Sequence, residues 1–288
     1  MSSLIEKLVA RGPVITDGAW GTELQARGLA LGEFPDAWNL LHPERVTEVA
    51  RAYVEAGSQV ILTNTFGANR VRLADAGLAD KAVELNRAGV EISRRAAAGR
   101  ALVFASIGPS GKLLVNEDVS AGELRDAFLE QAEALAAAGA DALVIETMCD
   151  AEEALLAVSA ARTTGLPVVA CMVFDSGKDR DRTMMGLTPE QAAQDLAAAG
   201  ADVIGANCGQ GITGFPALCR RLRAATDRPI WLKPNAGLPE MVNGRARYRA
   251  TPEEFAEVAQ QLISLGASFI GGCCGTRPDF IRALTQKL

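Results

Sequence analysis

Four segments of the chain repeat one arrangement, and this repeat constrains the fold more than any other feature. Each segment begins with the last residues of a predicted helix, which are small and include a glycine. One or two polar or small residues follow, and then an apolar run that ends in polar residues. Glycine suits the left-handed conformation that commonly ends a helix. The segments are residues 55–66, 137–148, 198–209 and 264–275. Seven residues after each glycine stand Asn64, Glu146, Asn207 and Cys273.

Four further apolar runs fit between these segments, at residues 13–18, 101–108, 167–174 and 229–235. They are continuous rather than alternating, which is typical of parallel strands buried on both faces. The intervening stretches carry apolar residues at helical spacing. Eight strands that are each followed by a helix predict an α/β fold, a (β/α)8 TIM barrel, as a single domain over residues 1–288. A doubly wound open sheet is the alternative, but the chain shows no linker and no shift in composition.

Composition and charge exclude several classes of function. The chain has 29 basic and 35 acidic side chains, a net charge of −6, and this balance argues against nucleic-acid and anionic membrane partners. No apolar run approaches the roughly 18 residues of a membrane span, and no secretory signal is recognisable, so we expect a cytoplasmic protein. The single histidine, His42, precedes a helix predicted to begin at Pro43. A Ser-His-Asp triad and a histidine-based zinc protease are therefore both disfavoured.

Six cysteines occur in a large chain without a signal, so reduced thiols are expected. Cys171 and Cys219 lie inside a predicted strand and helix, where each is most simply a small buried apolar residue. The role of Cys149, after the fourth strand, stays open.

The other three cysteines, Cys208, Cys273 and Cys274, end or follow the sixth and eighth strands. The carboxyl ends of barrel strands meet at one mouth, so these thiols come within reach of one ion. Thiolates suit Zn²⁺, and a catalytic zinc has three protein ligands and one open position. The sequence therefore predicts a zinc site at the barrel mouth.

Five motifs carry a resemblance to a known family: DGAWGTELQARG at 17–28, TNTFGANR at 63–70, GANCG at 205–209, KPNAGLP at 233–239 and GGCCGTRPDFI at 271–281. They resemble the zinc-dependent homocysteine S-methyltransferases, and the similarity extends from about residue 13 to the last helix. The resemblance implies a TIM barrel that uses Zn²⁺, with Cys208, Cys273 and Cys274 as its ligands. It also implies methyl transfer to the zinc-bound thiolate of homocysteine, which gives methionine.

The resemblance further implies how the amino acid is bound. Asp17 and Glu146 would hold the ammonium group of homocysteine, and the backbone N–H groups of Gly18 and Ala19 would bind its carboxylate. Asn235 corresponds to an asparagine that can occupy the open zinc position in the cobalamin-dependent branch.

The methyl donor is left open by the sequence. Betaine-using members place an aromatic residue where this chain has Gly67, and a quaternary ammonium group prefers an aromatic cage. A sulfonium donor, or a methylcorrinoid carried by a separate protein, is therefore favoured over betaine. Three connections are long for a barrel, and we expect them to form the donor side of the mouth: 108–123, 175–190 and 236–253.

Three rival functions remain. The chain could be a non-catalytic zinc- or thiol-binding barrel subunit, or it could methylate another thiol acceptor. It could also be a Schiff-base aldolase using Lys233 in the seventh strand. We interpret Lys233 as a structural residue, because it lies before the end of the strand and beside Pro234.

Overall fold

Eight parallel strands form the centre of the computed structural model, which describes residues 2–209, 211–238, 240–242 and 245–288 but not the side chains of 241, 242 and 245–247. The barrel strands are β1 (Val14–Ile15), β2 (Val60–Ile61), β3 (Leu102–Ile107), β4 (Ala142–Met148), β5 (Val168–Met172), β6 (Val203–Cys208), β7 (Ile230–Pro234) and β10 (Ala267–Ile270). Their order is β1-β10-β7-β6-β5-β4-β3-β2. A parallel bridge from Thr16 to Val60 joins the two ends, so the predicted TIM barrel is confirmed.

Helices follow the strands and form the outer layer. Those predicted from the sequence are α4 (Pro43–Glu55), α6 (Ala82–Ala97), α7 (Ala121–Ala137), α8 (Ala151–Arg162), α9 (Pro189–Ala198), α10 (Phe215–Ala225), α11 (Pro252–Ser264) and α12 (Pro278–Lys287). Ser120, Thr188 and Thr251 begin three of them with reciprocal capping boxes. The glycines that end the repeat helices all have positive φ: Gly57, Gly139, Gly200 and Gly266.

Further elements were not anticipated from the sequence. They are the short helices α1 (Ser3–Val9), α2 (Trp20–Ala26), α3 (Trp38–Leu41) and α5 (Arg70–Ala74), and an antiparallel hairpin of β8 (Glu240–Val242) and β9 (Arg245–Arg247). The hairpin lies in the connection between β7 and α11, which the sequence analysis treated as a loop. None of the helices in the described ranges is long and apolar enough to cross a membrane.

Two apolar layers hold the barrel together. Inside it, the rings of Phe104 and Phe269 pack on Trp231, with centroid distances of 6.1 Å and 5.1 Å. Ile5 of α1 belongs to this interior cluster and is fully buried at the amino ends of the strands. A second and larger cluster lies between the strands and the outer helices. This packing closes the bottom of the barrel and supports a polar site at the opposite end.

Candidate metal centre and substrate cavity

The three predicted thiol ligands meet at the carboxyl end of the barrel. Cys208 is the last residue of β6, and Cys273 and Cys274 follow β10. Their sulfur atoms all lie within 4.8 Å of one another, and the Cys208 and Cys273 sulfurs are 2.9 Å apart. Tetrahedral Zn²⁺ with Zn–S bonds of about 2.3 Å places sulfurs roughly 3.8 Å apart. The three thiols converge closely enough to hold a zinc ion once the Cys208 and Cys273 sulfurs separate from 2.9 Å to about 3.8 Å.

The three thiols share their protons unequally. Hydrogen bonds from Cys208 and Cys273 lower the pKa of Cys274 well below its usual value. The same contacts, together with burial, raise the pKa of Cys208. One thiolate is thus stabilised by two neighbouring thiols, and a divalent cation can replace their protons.

An unusual backbone conformation places Cys208 in the cluster. Cys208 has φ +61°, and Thr147, just beyond Glu146 on β4, has φ +64°. Non-glycine residues rarely adopt this left-handed region, and such strain concentrates at functional sites. Asn207 joins the two positions: its Oδ1 accepts from the Thr147 N–H at 2.7 Å, and its Nδ2 donates to Thr147 Oγ1 at 2.7 Å and contacts Cys273 Sγ at 3.8 Å.

A glycine permits the second part of the cluster. Gly275 has φ +83°, and a Cβ there would lie 2.3 Å from the Tyr248 ring. Only glycine therefore allows the chain to turn after the cysteine pair while Tyr248 packs against it.

A cavity of about 570 Å³ opens beside the thiols. Its wall includes Cys208, Cys273 and Cys274, together with the backbone of Gly18 and Ala19 and the side chains of Glu146 and Lys233. The sequence-predicted ligands and most of the predicted amino-acid site therefore face one space.

Glu146 is a buried carboxylate in this cavity. It is 8% exposed and accepts a hydrogen bond from the Ser106 hydroxyl at 2.5 Å. Burial raises its pKa to about 7, while the nearby Lys233 ammonium and the Ser106 hydrogen bond oppose the shift. A buried carboxylate with few partners is ready to accept a cation.

Asp17 is placed differently from Glu146. Its carboxylate is fully enclosed: Oδ1 forms an ion pair with Lys233, and Oδ2 accepts from the Leu62 N–H and from Trp20 Nε1, both at 2.7 Å. Lys233, only 2% exposed, contributes to the cavity wall in front of it. The Lys233 side chain, and not the Asp17 carboxylate that it contacts, therefore lines the cavity.

The predicted backbone donors are also placed unequally. The Ala19 N–H already donates to the Thr276 carbonyl at 2.9 Å. The Gly18 N–H has no acceptor within the described ranges. A Cβ on Gly18 would lie 2.3 Å from the same Thr276 carbonyl, which explains the glycine.

Asn235 follows β7 and is 8% exposed. Its Nδ2 donates to the Gly209 carbonyl at 2.6 Å, next to Cys208. Its Oδ1 is buried and has no donor among the residues described here.

The opposite wall of the cavity is formed by Phe34, Asp36, Phe66 and Arg72. Arg72 lies over the Phe66 ring, 5.5 Å from its centroid. Asp36 accepts from the Gly67 N–H at 2.9 Å, and burial raises its pKa to about 6. A Cβ on Gly67 would lie 2.8 Å from Asp36 and 3.0 Å from Arg72, so these two side chains fill the space of the missing one.

The long connections do not form this wall. No described residue of 108–123, 175–190 or 236–253 lines the cavity, whereas residues 32–36 and 62–66 do. The long connections thus contribute no lining to this cavity, and their place on the donor side of the mouth stays a prediction. The length of a loop does not indicate which part of the barrel mouth the loop covers. The residues that line the cavity on this side come instead from the connections after β1 and β2.

Two functional candidates were missed or undervalued in the sequence. Asn207 stands at the repeated polar position seven residues after Gly200, and this position could have indicated that its side chain lies at the barrel mouth. Lys233 is a charged residue inside an otherwise apolar strand, and such a residue must be paired when buried. Cys171 and Cys219 are buried, as expected of structural cysteines, whereas Cys149 is half-buried.

Comparison with known proteins agrees with this geometry. The family model described as homocysteine S-methyltransferase matches residues 14–288. Methionine synthase of Mycobacterium leprae is 33% identical over 303 residues, which cover 100% of this chain and 25% of that protein. The chain thus spans about a quarter of the length of the methionine synthase it matches.

Two further proteins match over nearly the whole chain. Betaine–homocysteine S-methyltransferase 1 of Rattus norvegicus is 30% identical, covering 99% of this chain and 74% of that protein. The metallated form of the homocysteine methyltransferase MmuM from Escherichia coli superposes with a TM-score of 0.82 at 25% identity, covering 99% of each chain. The chain therefore belongs to the homocysteine S-methyltransferase family of enzymes, as its motifs predict.

Proposed function

We propose that this protein transfers a methyl group from a donor to the sulfur of homocysteine, giving methionine, and that it depends on Zn²⁺. One observation carries the proposal: three cysteine thiols converge within 4.8 Å at the edge of a cavity that also holds the buried carboxylate of Glu146. Membership of the homocysteine S-methyltransferase family supports the same acceptor.

Cys208, Cys273 and Cys274 would hold the metal. When bound, Zn²⁺ supplies a Lewis acid that removes the proton from a coordinated thiol, so that the acceptor is a nucleophile at neutral pH. The three thiols must stay reduced for this role, which supports a reducing compartment such as the cytoplasm.

The cavity residues bind and orient the acceptor. Glu146 binds the ammonium group directly, and Asp17 contributes its negative charge from behind Lys233. The Gly18 N–H is the backbone donor still available to the carboxylate. Asn235, whose Nδ2 donates to the Gly209 carbonyl and whose buried Oδ1 lacks a described donor, would be a ligand for the open position of the metal before the acceptor binds.

The transfer itself needs no protein base. The sulfur lone pair forms the new C–S bond while the bond from the methyl carbon to the donor breaks, and the donor keeps that electron pair. The thiol proton has already left to solvent. His42 is half exposed and 3.7 Å from Glu44, and it does not line the cavity. The protein's contribution is to hold both reactants in line.

The wall formed by Phe34, Asp36, Phe66 and Arg72, which we assign to the methyl donor, combines one carboxylate and one guanidinium with aromatic rings. Asp36 is a buried carboxylate there, and Phe34 and Phe66 offer apolar and aromatic surface beside it. A sulfonium donor combines a positive charge with apolar groups and matches this wall. A methylcorrinoid on a separate protein is the alternative donor, and betaine is third because Gly67 supplies no aromatic ring.

Lysine-based aldolase chemistry is not supported. A Schiff-base lysine needs a neutral amine. Burial of the Lys233 ammonium opposes its charge, but Asp17 and Glu146 outweigh this effect and raise its pKa above the usual value. The amine therefore stays protonated.

The test is to supply zinc-loaded protein and homocysteine with one donor at a time and to measure methionine. The donors are S-methylmethionine, S-adenosylmethionine, betaine and a methylcorrinoid protein. We expect turnover with a sulfonium donor, and no turnover in Cys273→Ala. Homocysteine binding without methionine from any donor would instead indicate a thiol-binding subunit. Turnover of other thiols in preference to homocysteine would indicate a different acceptor.

A further inference from the structure

We propose that the cavity wall opposite the thiols binds the α-amino-acid head group of a sulfonium methyl donor, with Asp36 as the partner of its ammonium and Arg72 as the partner of its carboxylate. The inference rests on the proposed function, because it concerns the donor of the same reaction. It narrows that donor from any small cation to a sulfonium that carries both charges of an α-amino acid, as S-methylmethionine and S-adenosylmethionine do.

Arg72 is the feature of this wall that a positive donor alone does not explain. A guanidinium repels a sulfonium, yet the Arg72 side chain lines the cavity. The group carries several N–H donors in a planar fork. Its Nη1 donates to the Pro109 carbonyl at 3.4 Å, and no carboxylate forms an ion pair with it in the described part of the chain. Arg72 therefore has donors available for a carboxylate that enters the cavity.

The ring of Phe66 holds the guanidinium in place before any ligand binds. The central carbon of the Arg72 guanidinium lies 5.5 Å from the centroid of this ring, which is a cation–π distance. Gly108 leaves room for the ring, since a Cβ at Gly108 would lie 2.5 Å from it. A side chain that is already oriented loses less conformational freedom on binding, so Arg72 is preorganised for its ligand.

Asp36 is the anion of the same wall. It is 3% exposed, and its Oδ1 accepts from the Gly67 N–H at 2.9 Å. Its Oδ2 has no hydrogen-bond donor among the residues that the structure describes. Burial raises the pKa of Asp36 to about 6, as expected of a carboxylate without a close counter-ion. The ammonium of a ligand would supply that counter-ion.

Gly67 lies between the two charges. A Cβ on Gly67 would lie 2.8 Å from Asp36 Oδ2 and 3.0 Å from Arg72 Nε, but no ion pair joins Asp36 to Arg72 within the described ranges. Two opposite charges that flank one residue without pairing are complementary to a zwitterion. The ligand's ammonium can lie against Asp36 while its carboxylate lies against Arg72. Betaine offers only the second contact, because its nitrogen is fully methylated and has no N–H to donate.

The segment that carries Asp36 is fixed to the end of β2. Asn64 Nδ2 donates to the Pro35 carbonyl at 2.7 Å and to Asn39 Oδ1 at 3.0 Å. Asn39 Nδ2 donates in return to the Asn64 carbonyl at 2.7 Å, and both asparagines are buried. Because Phe66 follows Asn64 by two residues, these contacts join the Asp36 side of the wall to the Phe66 side. The two charges are thus held at a fixed spacing, as specific recognition requires.

The experiment measures binding to the zinc-loaded protein by calorimetry without homocysteine, so that no methyl transfer occurs. Three ligands share one dimethylsulfonium group: S-methylmethionine, 4-(dimethylsulfonio)butanoate, which lacks the ammonium, and (3-aminopropyl)dimethylsulfonium, which lacks the carboxylate. We expect S-methylmethionine to bind about 10- to 100-fold more tightly than either probe, the range of a charge-assisted hydrogen bond. An equal affinity of the wild type for S-methylmethionine and either probe overturns the inference.

Two variants assign the two preferences to the two side chains. Asp36→Asn should lose the preference for S-methylmethionine over the probe without the ammonium, and it should keep the preference over the probe without the carboxylate. Arg72→Met, which keeps an apolar stem beside Phe66, should show the reverse. If each variant loses both preferences, or neither, the assignment of the two charges is wrong.

Glu146→Gln is the matched control, because the acceptor wall also binds an amino acid in our proposal. This variant should keep both preferences, and their loss would place the sulfonium on the acceptor wall and overturn the inference. S-Adenosylmethionine carries the same head group, and its affinity relative to S-methylmethionine shows which of the two sulfoniums the cavity takes. If both preferences are found but no donor yields methionine, the proposed function fails alone. If methionine forms but the wild type shows neither preference, the inference fails alone.

Discussion

The side-chain amide of Asn207 makes two 2.7 Å hydrogen bonds to Thr147, one to its backbone N–H and one to its hydroxyl. This contact joins the end of β4, where Glu146 binds the substrate in our proposal, to the end of β6, where Cys208 begins the thiol cluster. It also holds Thr147, one of the two residues with a left-handed backbone, against the residue that precedes the other, Cys208. Asn207 is thus a positioning residue for the metal centre and the acceptor site together.

Asn207→Ala should weaken zinc binding by about 10- to 100-fold, the usual effect of removing a group that orients metal ligands. Zinc affinity can be measured by competition with a chromogenic chelator. Asn86→Ala is the matched control, since Asn86 is equally buried but donates to the Ala68 and Ala82 carbonyls. The control should lose stability and keep its zinc affinity. Equal zinc affinities in the two variants would show that Asn207 does not position the ligands.

The affinity for homocysteine should depend on the protonation of Glu146. Its pKa is raised to about 7 by burial, so the carboxylate is charged above that pH and loses its charge as the pH falls below it. Binding an ammonium requires the charged form, and binding a thiol to a metal releases a second proton. As the pH falls from about 8.5 to 7, the dissociation constant should therefore rise about tenfold for each pH unit. As the pH falls further below 7, it should rise about 100-fold for each unit.

In Glu146→Gln the dissociation constant should change about tenfold per pH unit over the whole range, because the thiol proton is then the only proton that binding releases. Isothermal titration of zinc-loaded protein between pH 6 and 8.5 measures both slopes. An unchanged profile in the variant would remove Glu146 from the acceptor site.

Ionisation of Glu146 should lower the stability of the fold as the pH rises, whereas it increases the affinity for homocysteine. A carboxyl whose pKa is raised in the folded state destabilises the protein as the pH rises from the unfolded value of about 4.5 to the folded value of about 7. Glu146→Gln should therefore raise Tm at pH 8 and leave it nearly unchanged at pH 4.5. The same Tm difference at both pH values would mean that folding does not raise the pKa of Glu146.

Gly67→Tyr should destabilise the protein, because Asp36 and Arg72 occupy the space of a side chain at this position. Overpacking of this kind costs about 1–3 kcal/mol. Urea unfolding measures the loss. Gly214→Tyr is the control, since nothing lies within 4 Å of its Cβ and its φ is −80°. Equal stabilities would show that the donor wall adapts to an aromatic residue.

The fold was predictable from the sequence because its signal is repeated. Continuous apolar strands recur eight times and glycine-terminated helices precede four of them, and each repeat is a local pattern. The thiol cluster was predictable for the same reason, since Cys208 and Cys273 fall at strand ends. The helix α1 was missed because seven residues give a weak period, and its burial depends on a barrel that forms elsewhere in the chain.

The details of the acceptor site could not be predicted. The ion pair between Lys233 and Asp17 joins residues 216 positions apart, and no local pattern reports such a contact. The use of the Ala19 N–H by Thr276 is equally non-local. Sequence reasoning thus located the residues of the site but not their partners.

X-ray absorption at the zinc edge tests the central claim most directly, because it counts the sulfur atoms bound to the metal. The zinc-loaded protein should show three sulfur ligands and one lighter atom, and four sulfur ligands after homocysteine is added. Cys208→Ala should lose zinc, whereas Cys219→Ala, which removes a buried thiol of α10, should retain it. A sulfur count that stays at three with homocysteine bound, or full zinc occupancy in Cys208→Ala, would contradict the claim.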